Sequence, residues 1–320
     1  MLDIYTGRCS VREDFLYICR IERNGKFLKI ETKEQIDRTM FKILKREMLT
    51  PNICKMVVEA PRIAKAAKPG QFLIVRPNEK GERIPLTISD YDTEQGTVTI
   101  VTQLIGASSA AIIATQEGEF FNDVVGPLGN PSAFVTMSDE ELKDARYIFI
   151  AGGVGTAPVY PQAKWLHERG VAVDVIIGAK TKDLLIYTDE LASACDNLYL
   201  CTDDGSIGFK GLVTALLEKL VSEDGKKYTQ AVAIGPMIMM KFCTLTCKKL
   251  QIPEDVSLNM LMVDGTGMCG ACRVTVAGKT KFACVDGPEF NGYDVDFDEA
   301  MRRLGQYKKE EAAAREELNK

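Results

Sequence analysis

The chain has 320 residues, 46% hydrophobic and 27% charged, an ordinary globular balance with room for two or three domains that each bury a core. A formal charge of -5 gives no electrostatic reason to expect nucleic acid or an anionic membrane surface as a partner. The longest weakly polar stretch, Tyr147 to Tyr160, is fourteen residues broken by three glycines, too short to span a bilayer, and no basic region followed by an apolar core opens the chain, so a cytoplasmic protein is expected.

Residues 1–40 read as a separate N-terminal extension. "FLYICRIERNGKFLKIETKE" alternates around Asn24-Gly25, a pair favoured in two-residue hairpin turns. Residues 41–140 follow as short β-rich runs, "NICKMVVEA", "GQFLIVRP", "RIPLTISDY" and "GTVTIVTQLIG". Their regular turn punctuation predicts a small antiparallel barrel. The period changes over 141–240. "ARYIFIAGGVGTAP", "VAVDVIIGAK", "NLYLCTDDGS" and "QAVAIGP" are apolar strands separated by helical stretches such as 157–169 and 211–221, the pattern of a parallel α/β sheet. Residues 241–295 hold a cysteine-rich module. The tail, 296–320, reads as a charged amphipathic helix packed by Met301, Leu304 and Tyr307.

Three stretches are candidates for phosphate or flavin binding. Gly152, Gly153 and Gly155 stand where an apolar strand turns into a helix. There, glycines let the backbone approach a pyrophosphate and the helix start offers free N–H groups. A glycine turn that only packs strand on helix has the same sequence. In "RIPLTIS", Arg83 and Thr87 supply one charge and one hydroxyl; a solvated arginine beside a strand threonine is the plainer reading. Gly106, Ser108 and Ser109 in "LIGASSAAI" suit either a diphosphate or a simple helix cap.

Ten cysteines without an export signal point to a reducing compartment in which clustered thiols bind metal, and there is one histidine, His167. His167, among charged neighbours before Gly170, reads as a surface residue. Cys269-x-x-Cys272, with Cys284 following after eleven intervening residues, gives three thiols. By spacing alone these suit an iron–sulfur cluster, a structural zinc or a redox dithiol. Cys243 and Cys247, four apart on one helix face, compete for a fourth place or are small buried residues.

Order along the chain adds a resemblance. R-I-P-L-T, G-A-S-S, G-P-L-G-N-P, A-G-G-V-G-T-A-P, T-D-D-G-S, I-G-P-M-I-M-M and the terminal cysteine run together resemble the ferredoxin–NADP reductase superfamily, in its branch with a C-terminal [2Fe–2S] module. Over roughly 41–310 the chain is similar to the small subunits of electron-bifurcating NADH-dependent reduced ferredoxin:NADP oxidoreductases. It resembles those of sulfide dehydrogenase almost as closely, and the electron-transfer subunit of dihydroorotate dehydrogenase more distantly.

The resemblance implies an antiparallel FAD-binding β-barrel, a Rossmann-like parallel α/β NAD domain and a small [2Fe–2S] module. It implies that Arg83, Pro85, Leu86 and Thr87 contact FAD, with Gly106, Ser108 and Ser109 near its diphosphate. Gly152, Gly153, Gly155 and Thr156 would face NAD(H), with Gly235 and Pro236 near the nicotinamide. Asp203 and Asp204 would approach the adenosine ribose, where carboxylates favour NADH over NADPH. Cys269, Cys272 and Cys284 would hold the cluster with Asp264 as the fourth ligand, standing where the dihydroorotate cousins place the first of their four cysteines.

The partner implied is a large subunit bearing a second FAD and further iron–sulfur clusters, through which ferredoxin is reached. Hydride would pass between NADH and FAD, and electrons would leave singly. A non-catalytic assembly subunit is the rival from another class. Residues 1–40 have no counterpart in the resemblance.

Overall fold

The computed structural model describes residues 18–21, 27–31, 41–307 and 309–313, and the chain divides into two units, 1–41 and 42–320. In the first, β1 (Ile18–Ile21) pairs antiparallel with β2 (Phe27–Glu31), with Ile21 opposite Phe27. The Asn24-Gly25 turn expected between them lies outside the described residues, as does Cys9.

The second unit begins with β3 (Phe41–Thr50), β4 (Ile53–Glu59), β5 (Phe72–Arg76), β6 (Ile84–Asp92), β7 (Thr97–Gln103), β8 (Phe120–Phe121) and β9 (Asp123–Leu128). They form one antiparallel sheet in the order β8-β3-β4-β7-β6-β5-β9. Its two outermost strands are separated in the chain by Asn122 alone, so the sheet curls into a nearly closed barrel. Alternation builds the inside: Cys54, Met56 and Val58 of β4 and Val98 and Ile100 of β7 are fully buried or nearly so, as the two-residue strand period requires.

The next strands are β10 (Arg146–Gly152), β11 (Ala172–Ala179), β12 (Asn197–Thr202), β13 (Phe209–Lys210), β14 (Gln230–Ile234) and β15 (Glu254–Ser257). β16 (Arg273–Val276) and β17 (Lys279–Phe282) pair as a hairpin, and β18 (Glu289–Asn291) follows. The second seven-stranded sheet runs β13-β12-β11-β10-β14-β15-β18, parallel throughout except for β18. β10 is buried from Tyr147 to Gly152 because helices cover both faces, which is why its sequence is an unbroken apolar run. The hairpin turns at Ala277-Gly278, both at positive φ (49° and 73°), as a two-residue turn between twisted strands needs.

The cysteine module leaves the sheet after Ser257 and re-enters at Glu289, and these two residues face each other across the β15–β18 ladder. Cys243 and Cys247 lie on the helix Met237–Leu250 with no exposed surface, packed into the core beneath the sheet. The tail differs from expectation. Its helix Phe297–Leu304 is capped by Asp296 and stops at Gly305, a 3-10 turn covers Gly305–Tyr307, and 309–313 are helical again. Phe297 and Ala300 are the buried residues and Met301 and Leu304 pack beside them, while Tyr307 is 45% exposed. The break at Gly305 takes Tyr307 off the apolar stripe. Among the described residues no helix is long and apolar enough to cross a membrane.

Candidate functional site

In the second sheet β11, β12 and β13 build outward on one side of β10, and β14 and β15 on the other. The order in which parallel strands are added reverses between β10 and β14, leaving a crevice at their carboxyl ends where open α/β sheets take ligands. The two glycine motifs meet there. Gly152–Gly155 continues β10 into the helix Thr156–His167, and Gly235-Pro236 continues β14 into the helix Met237–Leu250.

Each glycine has its own steric reason. A Cβ at Gly155 would collide with the Ile234 carbonyl and one at Gly152 with the Met239 sulfur. Gly153, at φ +56°, meets nothing within 4 Å; its bare backbone borders open space. Thr156 is buried and its hydroxyl donates to the Gly153 carbonyl at 2.9 Å, so it braces the turn.

That open space is a cavity of about 810 Å³, within the usual span of ligand pockets. The barrel contributes Phe72, Pro85, Leu86 and Thr87; the parallel sheet contributes Gly152, Gly153, Gly155, Lys180, Asp203, Gly235 and Pro236; the cysteine module contributes Met260, Met262 and Pro288. Nine of the fifteen residues expected to bind flavin or nucleotide therefore border one space. Arg83, Gly106, Ser108, Ser109, Thr156 and Asp204 stand outside its wall.

The outliers have other partners. Arg83 donates from Nε to the Val263 carbonyl at 3.0 Å and pairs with Asp123 at 3.3 Å. Ser108 contacts the Glu82 carboxylate. The Ser109 hydroxyl accepts from the Ile105 and Gly106 N–H groups at 2.8 and 2.9 Å, fixing the start of the helix Ala107–Ala114. Asp204 accepts from the Ser206 hydroxyl at 2.7 Å and its N–H at 2.9 Å, and these bonds hold its carboxyl below the ordinary range. Its neighbour Asp203 is the carboxylate on the cavity wall.

In the cysteine module Cys272 and Cys284 are 1% exposed, with sulfurs 3.3 Å apart. Burial, with the Cys272 thiol beside it, pushes Cys284 up to about 12. Cys269 is exposed. Its N–H donates to Asp264 at 2.9 Å, and the same carboxylate accepts from Met268 at 3.0 Å and Thr266 at 3.1 Å. What burial it has raises the Asp264 carboxyl, but these three bonds win and hold it below its ordinary value. Gly265, Gly267 and Gly270 all take positive φ; successive turns of this kind make backbone nests for anions.

Among the described residues no three Cys, His, Asp or Glu side chains already converge as a metal site. The donor set nevertheless fits an iron–sulfur cluster. Two buried thiols lie side by side, the Gly267 backbone N–H reaches one of them, Cys284, a third thiol lies on the same loop, and glycine turns bring N–H groups to the anion such a centre presents. The cavity fits a dinucleotide in the same sense, since its wall at Gly153 is bare backbone at a helix start.

Sequence reading missed Met260, Met262 and Pro288 on the cavity wall. Only "LNMLMVDG", an apolar run before the cysteines, hinted that this segment turns inward.

A nearly closed antiparallel barrel, a parallel sheet with glycine turns at its switch point and a cysteine module on the sheet's edge define a ferredoxin reductase-like oxidoreductase that transfers electrons. Residues 259–296, which hold Asp264 and all three cysteines, match the iron–sulfur cluster binding domain of dihydroorotate dehydrogenase B. The chain is 46% identical over 278 residues to a dihydroorotate dehydrogenase B (NAD(+)) electron transfer subunit homolog of Thermotoga maritima, covering 87% of this chain and 95% of that one. The chain belongs to the family of dihydroorotate dehydrogenase B electron transfer subunits and their homologs. An uncharacterised Clostridium beijerinckii protein from the adh 3' region is 60% identical, with 87% and 94% covered. A chain of the NADH-dependent reduced ferredoxin-NADP oxidoreductase structure, described in connection with flavin-based electron bifurcation, superposes with a TM-score of 0.81 at 44% identity, covering 88% of this chain and 98% of that one.

Proposed function

We propose that the chain is the electron-transfer subunit of an electron-bifurcating NADH-dependent reduced ferredoxin:NADP oxidoreductase. In this reading it exchanges hydride between NAD(H) and FAD, and single electrons through a [2Fe–2S] cluster with a large flavoprotein partner. The observation that carries it is the shared cavity, bounded at once by the R-I-P-L-T strand, the glycine turns and the first residues of the cysteine module. When bound, a flavin takes two electrons together and releases them one at a time, the conversion that a hydride donor and a one-electron cluster require.

The chain's own residues bind, orient and enclose. Residues 41–140 form the flavin domain, with Arg83, Pro85, Leu86 and Thr87 toward FAD and Gly106, Ser108 and Ser109 toward its diphosphate. Residues 141–240 form the nucleotide domain. Gly152, Gly153, Gly155 and Thr156 offer backbone to the pyrophosphate, Gly235 and Pro236 border the nicotinamide, and Asp203 reads the ribose, with the Asp204 carboxylate turned to Ser206 beside it. Residues 241–295 are the cluster module, held by Asp264, Cys269, Cys272 and Cys284. Phe72, Met260 and Met262 give the cavity an apolar wall, which strengthens every polar contact made inside it.

The partner in this reading is a large subunit with its own FAD and further clusters, through which ferredoxin is reached. Service to a dihydroorotate dehydrogenase is the second reading, favoured by the name of the Thermotoga relative; Asp264 in the place of a fourth cysteine speaks against it.

Anaerobic purification followed by flavin, iron and sulfide analysis tests the first layer. One FAD, two irons and two acid-labile sulfides per chain are expected, and stoichiometric zinc without iron would overturn the reading. Co-expression with the product of the adjacent gene, assayed with NADPH plus ferredoxin and separately with dihydroorotate, decides between partners.

A further inference from the structure

Arg303, on the last turn of the helix Phe297–Leu304, reaches back to the cysteine loop. Its Nη2 donates at 3.2 Å to the carbonyl of Ala271, the residue just before Cys272. Its Nε is buried and has no hydrogen-bond partner, and no carboxylate pairs with its guanidinium among the described residues. A guanidinium is charged at every accessible pH, and a buried donor left unpaired is costly enough that native proteins seldom keep one without a reason.

The surroundings narrow the acceptor. The helix carrying Arg303 packs through Phe297 and Ala300 onto the same core as Cys272, Cys284 and Val274. The nearby carboxylate Glu299 is engaged by the Thr275 N–H at 3.1 Å. Arg302, next along the helix, is exposed; water screens its charge.

We propose that Arg303 is the cationic hydrogen-bond donor to the iron–sulfur centre of this module, anchored on Ala271 and raising that centre's reduction potential. This rests on the module holding a [2Fe–2S] cluster, as argued above. Reduction adds negative charge to an already anionic centre, so a fixed cation in a dehydrated place stabilises the reduced form more than the oxidised one. Net charge and hydrogen bonds to sulfur are the levers that set such potentials.

The experiment is an EPR-monitored redox titration, with iron and sulfide analysis, of full-length anaerobic protein: wild type, Arg303→Gln, Arg303→Lys and Arg302→Gln. Arg303→Gln should shift the cluster's midpoint to a more negative value. Arg303→Lys, which keeps the charge, should stay near wild type, and Arg302→Gln, which removes the same formal charge from the solvent side, should not move it. A wild-type midpoint in Arg303→Gln with full iron content overturns the proposal. So does an equal shift, or equal loss of iron, in Arg303→Gln and Arg303→Lys, because the residue would then act by packing. Should Arg303→Gln lose its iron while Arg303→Lys keeps both iron and midpoint, the charge is what the module needs and the proposal stands. A wild type without a [2Fe–2S] signal overturns the reading of the module itself, an outcome separate from these.

Discussion

The guanidinium of Arg83 donates to the carbonyl of Val263, a residue 180 positions further along the chain, at 3.0 Å. One side chain thus joins the start of the barrel strand that borders the cavity to the residue preceding Asp264. Asp123 pairs with the same guanidinium at 3.3 Å, so the planar fork is held from two directions, a geometry that lysine's point charge does not reproduce.

Arg83→Ala should therefore loosen two sites together. Loss of a charged hydrogen bond in this partly exposed place should cost about 1.5 kcal/mol of stability, seen as a lower unfolding midpoint. Air bleaching of the cluster, followed by visible absorbance, should be several-fold faster, and flavin retained through gel filtration should fall. Arg83→Lys should recover flavin better than cluster stability. A variant that loses flavin alone would show the Val263 bond to be incidental.

Asp264 accepts three N–H groups of its own loop, so its removal is a stronger perturbation than the loss of one ligand. Asp264→Ala should abolish or destabilise the cluster, whereas Asp264→Cys should retain one with an altered EPR spectrum and potential. Cys243→Ala and Cys247→Ala should leave the spectrum unchanged, at a cost of stability, since both thiols are fully buried. A wild-type spectrum in Asp264→Ala would remove the aspartate from the ligand set.

NADH should be used in preference to NADPH, and Asp203 should carry most of the preference. Like charges 4 Å apart repel by about 4 kcal/mol at an effective dielectric near 20, and a carboxylate welcomes a free ribose hydroxyl. Asp203 and Lys180 border the cavity, while the Asp204 carboxylate is committed to Ser206. Asp203→Ser should improve kcat/KM for NADPH by at least about tenfold in dye reduction. Asp204→Ser alone should change it little, and Asp203→Ser with Asp204→Arg should give the largest gain. Equal use of both nucleotides by the wild type would defeat this account.

Two acids should make stability fall as pH rises. Burial pushes Glu254 up to about 8; neither of its oxygens meets a donor in hydrogen-bonding geometry, and Thr244 and Cys247 beside it only soften the rise. Burial likewise raises Glu289 to about 7 against the opposing bonds from Ser132 and Gln162. Both start from an ordinary value of 4.5, so between that pH and 7 to 8 the folded chain holds more protons than the unfolded one. Stability should be greatest near the lower limit, decline by up to about 1.4 kcal/mol per pH unit for each group, and level off above pH 8. Denaturant titrations should show a flatter profile for Glu254→Gln, with higher stability than wild type at pH 8.5.

The barrel and the inner parallel strands were legible because their burial follows a period. β4 alternates, and β10 is apolar on both faces. β15 was not legible, since "EDVS" reads as a loop. Its Glu254 is 2% exposed, a burial that no hydrophobic pattern announces and that ordinary desolvation cost argues against.

At the site, cysteine spacing and glycine turns showed in the sequence because local backbone geometry dictates them. The contacts Arg83–Val263 and Arg303–Ala271 did not, because tertiary packing alone brings them together. The tail was half legible: Met301 and Leu304 pack as their spacing suggests, but Gly305 ends the helix before Tyr307 can join them.

Ser257 and Glu289 face each other across one ladder, so the cysteine segment departs and returns at points one strand spacing apart, about 4.8 Å. Such a segment can be gained or lost in descent by a single insertion or deletion, with the parallel pairs from β13 to β15 left in register. The inheritance of nucleotide binding and of one-electron transfer is thereby separable. Ile74 and Leu128, which the segment covers where Gly265 lies against them, are positions that a cluster-free descendant would have to turn polar.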